Sequence, residues 1–320
     1  MLSVRICGPP RSAIVRKAII TGATGLVGSA VAKHLAARGV EVLCLGRKQL
    51  TETEAAAVIG SENTRYLAIG METIQTLADA MDQIHWNPGD SCVFYHFAWS
   101  GREKLVDGDF RDQFVNAIYT ANAVAAAKHA GCIKFVSAGT MEETFAELYL
   151  AGRTQLSSYE SSQANYTIAK LAARDMSKMV AYLEKIDYIH TRLSVPLDEF
   201  LVRGGYVCST TRKILRREPY QMPLNGQLFD IIITQDVAEA YFRLGQRGKN
   251  KADYFIGTSR PKTLREYFEI CERIRDGDLS FPADSGKGCA ANDLFSIQRL
   301  VDDTGFVPSI SYENFVRSLV

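Results

Sequence analysis

Tyr166 and Lys170 stand four residues apart in Tyr-Thr-Ile-Ala-Lys. In a helix that spacing puts both side chains on one face, one turn apart. A free phenol has a pKa of about 10, too high for easy proton exchange at neutral pH. A neighbouring ammonium favours the phenolate and lowers that value. The pair therefore suits proton exchange with an alcohol or sugar oxygen. A third group must orient that oxygen. In Ser137-Ala-Gly-Thr140, Thr140 is the first candidate and Ser137 the second. Turn hydroxyls commonly bond their own backbone instead, and Tyr-x-x-x-Lys alone recurs by chance. The pair gains its weight from a second motif upstream.

That motif is Thr21-Gly-Ala-Thr-Gly-Leu-Val-Gly28. Ala18, Ile19 and Ile20 before it form a short apolar run that reads as a buried strand. A helical pattern follows from Ser29 to Arg38, with Gly39 as its stop. Gly22 permits a sharp turn, Gly25 a close backbone approach to a pyrophosphate, and Gly28 close helix–strand packing. The helix N-terminus then faces the negative charge. Strand, glycine turn and helix predict a dinucleotide site formed by Gly22, Thr24, Gly25, Leu26, Val27 and Gly28. The plain alternative is an ordinary strand-to-helix turn. With a nicotinamide in place, Tyr166 exchanges a proton while the nicotinamide exchanges a hydride, and Lys170 also holds the nicotinamide ribose.

The second strand bears on which dinucleotide binds. It ends Leu45-Gly46-Arg47-Lys48. An NAD site usually has a carboxylate there, on the ribose 2′-hydroxyl. Gly46 stands in its place, and Arg47 and Lys48 are both candidates to bind a 2′-phosphate, Arg47 with a forked donor set. NADP is therefore expected ahead of NAD.

The elements that must position these groups alternate. Strands are expected at Glu41–Leu45, Thr64–Ile69, Ser91–Phe97, Ile133–Ser137 and Asp187–Leu193. Helices are expected at Thr73–Ile84, Arg111–His129 and Gln163–Leu183. Repeated strand–helix units predict an α/β fold, a doubly wound parallel sheet of Rossmann type with helices on both faces. Ligands in such sheets sit at the carboxyl ends of the strands, so Phe97 and Ala98, at the end of the fourth strand, are expected at the cofactor. The alternation weakens after Arg192. Residues 1–193 are assigned to the dinucleotide-binding domain and 194–320 mainly to a smaller C-terminal α/β substrate domain. Strands at Asp230–Ile233 and Tyr254–Ile256 are free to join either sheet.

Composition narrows the classes. The chain has 320 residues, 47% of them apolar, enough for a large core. A net charge of +1 gives no bulk attraction to nucleic acid or to an anionic membrane. No apolar run approaches a membrane span. Residues 1–16, with Gly8-Pro-Pro10 and three arginines, read as a flexible lead-in. The seven cysteines, Cys7, Cys44, Cys92, Cys132, Cys208, Cys271 and Cys289, are scattered and never form C-x-x-C. Free thiols in a reducing cytoplasm fit this pattern. The five histidines show no metal spacing, and no metal site is expected. His96 reads as a packed histidine at a strand end.

Taken together, the chain resembles the extended short-chain dehydrogenase/reductase superfamily, in its NAD-dependent epimerase/dehydratase branch. The resemblance runs from Lys17 to Val320. It rests on the glycine motif, on His96-Phe-Ala-Trp99, on Asn116, on Thr140, and on Tyr166 with Lys170. Gln235-Asp-Val-Ala-Glu-Ala240, Tyr254-Phe-Ile-Gly257 and Gly305-Phe-Val-Pro308 are similar to the family's later landmarks. The resemblance implies a nucleotide-sugar substrate and a homodimer built from the helices near Arg111–His129 and Gln163–Leu183.

There are departures. Dehydratases of the family follow the catalytic Thr with Asp-Glu, whereas Met141-Glu142 stands here, so 4,6-dehydration is not expected. Glu142 and Glu143 read as surface carboxylates. The family's diphosphate-binding Arg is replaced by Phe229, with Arg212, Arg216 and Arg217 as candidate substitutes. Ser194-Val-Pro-Leu197 stands for the family's Asn-Val-Tyr-Gly. Met71, beside Glu72, stands for its acidic residue near the adenine. The expected activity is NAD(P)-dependent chemistry on a nucleotide-linked sugar, with reduction of a 4-keto sugar favoured by Gly46 and Arg47. The alternatives are a 4-epimerase with tightly bound NAD and, from another class, a non-catalytic NADP-sensing or scaffold protein.

Overall fold

A computed structural model describes residues 15–101, 109–152, 163–224, 226–278 and 293–320. Residues 1–14 of the expected lead-in, Cys7 and Cys289 lie outside the described residues. In the N-terminal half the elements are β1 (Lys17–Thr21), α1 (Leu26–Ala37), β2 (Glu41–Gly46), α2 (Glu52–Ile59), β3 (Thr64–Ala68) and α3 (Leu77–Gln83). They continue with β4 (Cys92–His96), α4 (Phe110–His129), β5 (Lys134–Thr140), α5 (Glu142–Leu150), α6 (Ala164–Glu184) and β6 (Asp187–Leu193). Then come β7 (Val195–Leu197), α7 (Tyr206–Leu215), β8 (Leu228–Phe229), β9 (Ile231–Ile233), α8 (Thr234–Arg247) and β10 (Asp253–Ile256). The chain closes with β11 (Lys262–Thr263), α9 (Leu264–Arg275), α10 (Gln298–Thr304) and α11 (Tyr312–Arg317).

Seven strands form one parallel sheet in the order β10-β6-β5-β4-β1-β2-β3. From β1 the chain winds outward through β2 and β3, then returns to lay β4 on the other side of β1. The carboxyl ends of β1 and β4 therefore flank the switch point where an open α/β sheet takes its ligand. The strands are apolar on both faces because both are covered. Ala18, Ile20, Val42, Cys44, Val93 and Val136 pack under α1 and α8, against Val31, Leu35, Val237 and Leu244. Ile19, Leu43, Phe94 and Phe135 pack on the opposite face against Val124 and Ala127 of α4 and Ala181 of α6. A third apolar cluster joins Leu197, Ile214, Ile231, Ile233, Phe268, Phe315 and Val316 in the C-terminal part.

Of the two late strands, β10 extends the large sheet beside β6, while β9 pairs with β7 in a separate two-stranded sheet. Three boundaries differ from expectation, and each bears on the site. The helix expected from Ser29 already begins at Leu26, directly after the glycine turn. The fifth strand continues past Ser137 to Thr140, held throughout by β6. The helix expected over Thr73–Ile84 divides at a non-helical Thr73 into a 3-10 turn, Met71–Thr76, and α3. The short helix α2 was not expected, although Thr51 and Glu54 form a reciprocal capping box at its start.

Candidate active site

Gly22 adopts φ +66°, and a Cβ there would lie 2.8 Å from the backbone of Phe97 and Ala98. Both the conformation and the close approach demand glycine. Gly28 is as constrained, since a Cβ there would come within 2.3 Å of the Gly22 carbonyl oxygen. The turn thus brings the start of α1 down onto the end of β1. Gly25 is the N-cap of α1 and no side chain caps it. The first N–H groups of the helix consequently open onto a cleft of about 660 Å³. An uncapped helix N-terminus of this kind favours a bound anion.

The cleft is lined by every residue expected at the cofactor: Gly22, Thr24, Gly25, Leu26, Val27, Gly28, Arg47, Phe97, Ala98, Tyr166 and Lys170. Thr140 lines it too. Ser137 does not; it is buried inside β5, because the strand runs three residues further than expected. Gly46 and exposed Arg47 lie at the end of β2, at the cleft edge. A Cβ on Gly46 would lie 2.5 Å from the Tyr66 hydroxyl, which donates to the Lys48 carbonyl at 2.7 Å. Tyr66 thus occupies the space that a side chain at position 46 would need.

Lys170 is buried and its ammonium donates to the Ala138 carbonyl at 2.8 Å. It also lies 3.8 Å from the centre of the Trp99 ring and 5.8 Å from that of Tyr166. Burial lowers its pKa to about 8, although the Glu143 carboxylate pulls the other way. Trp99 meets Tyr166 edge to face at 5.7 Å, and its indole N–H donates to buried Gln113 at 2.9 Å. Thr140 sits at the last position of β5. Its N–H donates to Glu143 Oε1 at 2.9 Å, and its hydroxyl accepts the Glu142 N–H at 3.4 Å. That acceptor role leaves the hydroxyl proton for another partner.

The two carboxylates after Thr140 are not on the surface as expected. They open α5 and are buried, Glu143 completely. Glu143 Oε2 lies 2.7 Å from His190 Nε2, with Arg192 at 3.9 Å. Burial pushes its pKa up, but His190, the Thr140 N–H and Arg192 outweigh that and hold it below the ordinary carboxylate range. His96 is packed, as expected. Thr21 Oγ1 accepts the N–H groups of Phe97 and Ala98, at 3.2 and 3.3 Å, and lies 2.8 Å from His96 Nδ1. His96 Nε2 lies 3.1 Å from Thr120 Oγ1, which donates to the Asn116 carbonyl. Burial, with help from Lys170, lowers the His96 pKa to about 3, so the ring is a neutral link in this chain. Asn116 completes the turn by accepting the Ser100 N–H at 2.8 Å.

Arg212, Arg216 and Arg217 do not line the cleft. Arg212 donates to the Leu201 carbonyl, Arg216 lies 3.9 Å from Glu218, and Arg217 pairs with Asp276 at 2.7 Å. Instead Arg203, in an irregular segment with no motif to mark it, reaches the cleft. Glu72, exposed beside Met71, also lines it. Among the described residues no group of three or more His, Cys, Asp or Glu is placed to hold a metal ion. No helix among them is long and apolar enough to cross a membrane. Cys44, Cys92, Cys132, Cys208 and Cys271 are buried free thiols.

The fold is similar to those of several solved structures. A Thermotoga maritima UDP-glucose 4-epimerase, solved with UDP-glucose, superposes with a TM-score of 0.71 at 17% identity, covering 94% of this chain and 96% of that one. The Bordetella bronchiseptica enzyme WbmF, solved with NAD+ and UDP, gives 0.69 at 17% identity, covering 96% and 92%. A Bacillus cereus UDP-N-acetylglucosamine 4-epimerase gives 0.69 at 14% identity, covering 95% and 97%. At these identities the likeness is one of fold. No curated protein sequence matches significantly. Residues 18–257 match the sequence model of one family, and the chain belongs to it: the NAD dependent epimerase/dehydratase family.

Proposed function

We propose that the chain is an NAD(P)-dependent enzyme that acts on a nucleotide-linked sugar. The observation that carries this reading is a convergence. Tyr166, Lys170 and Thr140 line the same cleft as the glycine turn. The residues present fit a dinucleotide, because the uncapped start of α1 opens onto that cleft. Gly22, Thr24, Gly25, Leu26, Val27 and Gly28 would hold its diphosphate, Arg47 its adenosine ribose end, and Phe97, Ala98 and Lys170 its nicotinamide end. Bound there, a nicotinamide supplies hydride transfer.

The chain's own residues supply the rest. Tyr166 gives or takes the proton at the sugar oxygen through its phenol. Lys170 keeps a positive charge beside that phenol. Thr140 donates its remaining hydroxyl proton to the same oxygen. Gly46 and Arg47 support NADPH, and hence reduction of a 4-keto sugar with an exchanging cofactor. The solved counterparts support a second reading, a 4-epimerase that keeps its NAD. We also propose a homodimer through α4 and α6.

Native mass spectrometry of the protein with NADPH and NADH separately is the first test. Turnover of nucleotide-linked 4-keto sugars by the wild type and Tyr166→Phe follows. NADPH uptake with turnover lost in Tyr166→Phe is expected. Resident NAD moves the assignment to the epimerase. Binding of neither, or turnover untouched by Tyr166→Phe, overturns the catalytic reading in favour of a sensing or scaffold role.

A further inference from the structure

Arg203 belongs to the connection between β7 and α7, yet it touches the glycine turn at the other end of the sequence. Its Nη1 donates to Ser29 Oγ at 3.1 Å and its Nη2 to the Thr24 carbonyl oxygen. Both acceptors are neutral. No carboxylate among the described residues pairs with this guanidinium. The segment that carries it is fixed in place. Asp198 accepts the backbone N–H groups of Val202 and Arg203, each at 2.7 Å, and the Cys208 thiol donates to the Arg203 carbonyl at 3.3 Å.

Among the described residues, three cations line the cleft: Arg47, Lys170 and Arg203. Lys170 is buried and committed to the Ala138 carbonyl and the Trp99 face. Arg47 follows β2, on the far side of β1 from β4. Arg203 alone stands beside Thr24 and the open N–H groups of α1. Phe229, where the family's arginine is absent, does not line the cleft. An exposed, unneutralised guanidinium next to an uncapped helix start offers forked donors and a full charge where a phosphate would lie.

We infer that Arg203 is a diphosphate clamp: it exchanges its neutral contacts on the glycine turn for the diphosphate of the bound dinucleotide. The inference rests on the dinucleotide reading of the cleft. It adds that the C-terminal part of the chain grips the cofactor directly. Binding would then tie the segment 198–205 to β1 and α1 through the ligand.

Calorimetry with ADP-ribose, adenosine and UDP, on the wild type and Arg203→Ala, tests it. Arg203 is exposed, so the variant should keep its fold, and its thermal melt checks that. A lost charged hydrogen-bond pair weakens ADP-ribose by about tenfold to a hundredfold, with adenosine unchanged. Equal weakening of ADP-ribose and adenosine would assign Arg203 to folding of the segment and overturn the clamp. Weakening of UDP alone would place it on a substrate diphosphate and overturn it equally. Unchanged ADP-ribose binding also overturns it, leaving the dinucleotide reading intact. A wild type that binds no ADP-ribose defeats that reading and the clamp together.

Discussion

The Lys170 ammonium lies 3.8 Å from the centre of the Trp99 ring, and the other side of that contact is Tyr166, edge to face with the same ring at 5.7 Å. One indole therefore touches both members of the proposed catalytic pair. Gln113 anchors it through the indole N–H. The ring excludes water from Lys170, and exclusion is the main reason that the Lys170 pKa falls to about 8. Below about pH 8 the ammonium is charged, and above it the charge beside Tyr166 is lost. Activity should fall on that alkaline side. Trp99→Ala admits water and should move the fall upward, towards the ordinary lysine value, with a lower maximal rate. A pH–rate profile of both proteins reads this directly, and an unmoved alkaline limb would remove Trp99 from the account.

Tyr166→Phe keeps the ring that meets Trp99 and deletes only the phenol oxygen. The expected loss is about 10²- to 10⁴-fold in kcat, the range for a positioned acid–base group. Dinucleotide affinity should stay unchanged. Thr140→Val keeps the shape and removes one hydrogen bond, so about a tenfold loss in kcat is expected. Steady-state kinetics with a dissociation constant for each variant separates these outcomes from misfolding.

Much of this site was legible because its chemistry is encoded at short range. The glycine spacing and the four-residue step from Tyr166 to Lys170 are local, and helix and strand geometry turn them into a shared cleft. Thr140 was legible for the same reason, since strand ends meet the ligand in a parallel sheet. Arg203 was not. It sits in a segment without periodicity, and its partners, Thr24 and Ser29, are far away in sequence. Glu143 was misread for a related reason. A carboxylate defaults to the surface, and what buries this one is His190, on the neighbouring strand and 47 residues on. Trp99 was legible only as part of a motif, because nothing local indicates that a helix beginning at Ala164 will bring Lys170 over its face.

Gly46 and Arg47 make cofactor choice testable in both directions. Arg47→Ala removes the only cation at the end of β2 that lines the cleft. NADPH affinity should fall about tenfold or more, with NADH affinity unchanged. Gly46→Asp alone should not convert the site cleanly, because its Cβ would collide with the Tyr66 hydroxyl at 2.5 Å. Gly46→Asp with Tyr66→Ala opens that space and should favour NADH. Equal NADH and NADPH affinities in the wild type would end the argument from Arg47.

Glu143 is a stability prediction as well as a positioning one. Its carboxylate serves buried His190 and the Thr140 N–H at once. Removing one partner of a buried pair typically costs about 3–5 kcal/mol, because the other is left unpaired. Glu143→Ala should lose stability in that range in urea titrations. Its folded pKa is depressed, so its contribution is present above the unfolded carboxylate range and is lost as pH falls through the folded value. The wild type should therefore lose stability on acidification more steeply than Glu143→Ala. Equal acid slopes would show that the pair carries no such linkage.

The helix that carries Tyr166 and Lys170 also carries a bare apolar face. Met176, Met179 and Leu183 recur at helical spacing on α6, and Met179 and Leu183 are 62% and 68% exposed. Ile118 is exposed on α4, which packs beside α6. Large apolar side chains exposed together on one helix are costly to leave in water, and a second copy covering them would relieve that cost. Such an isologous contact pairs the same face of each copy. Light scattering should give twice the chain mass for the wild type. Met179→Asp places a charge in the middle of the face and should shift the protein towards monomer. Because Met179 lies more than two turns from Lys170, the monomer should still bind dinucleotide, while a less firmly held α6 lowers turnover. A wild type that is monomeric at micromolar concentration would leave the face without a partner copy, and the proposed dimer would fail.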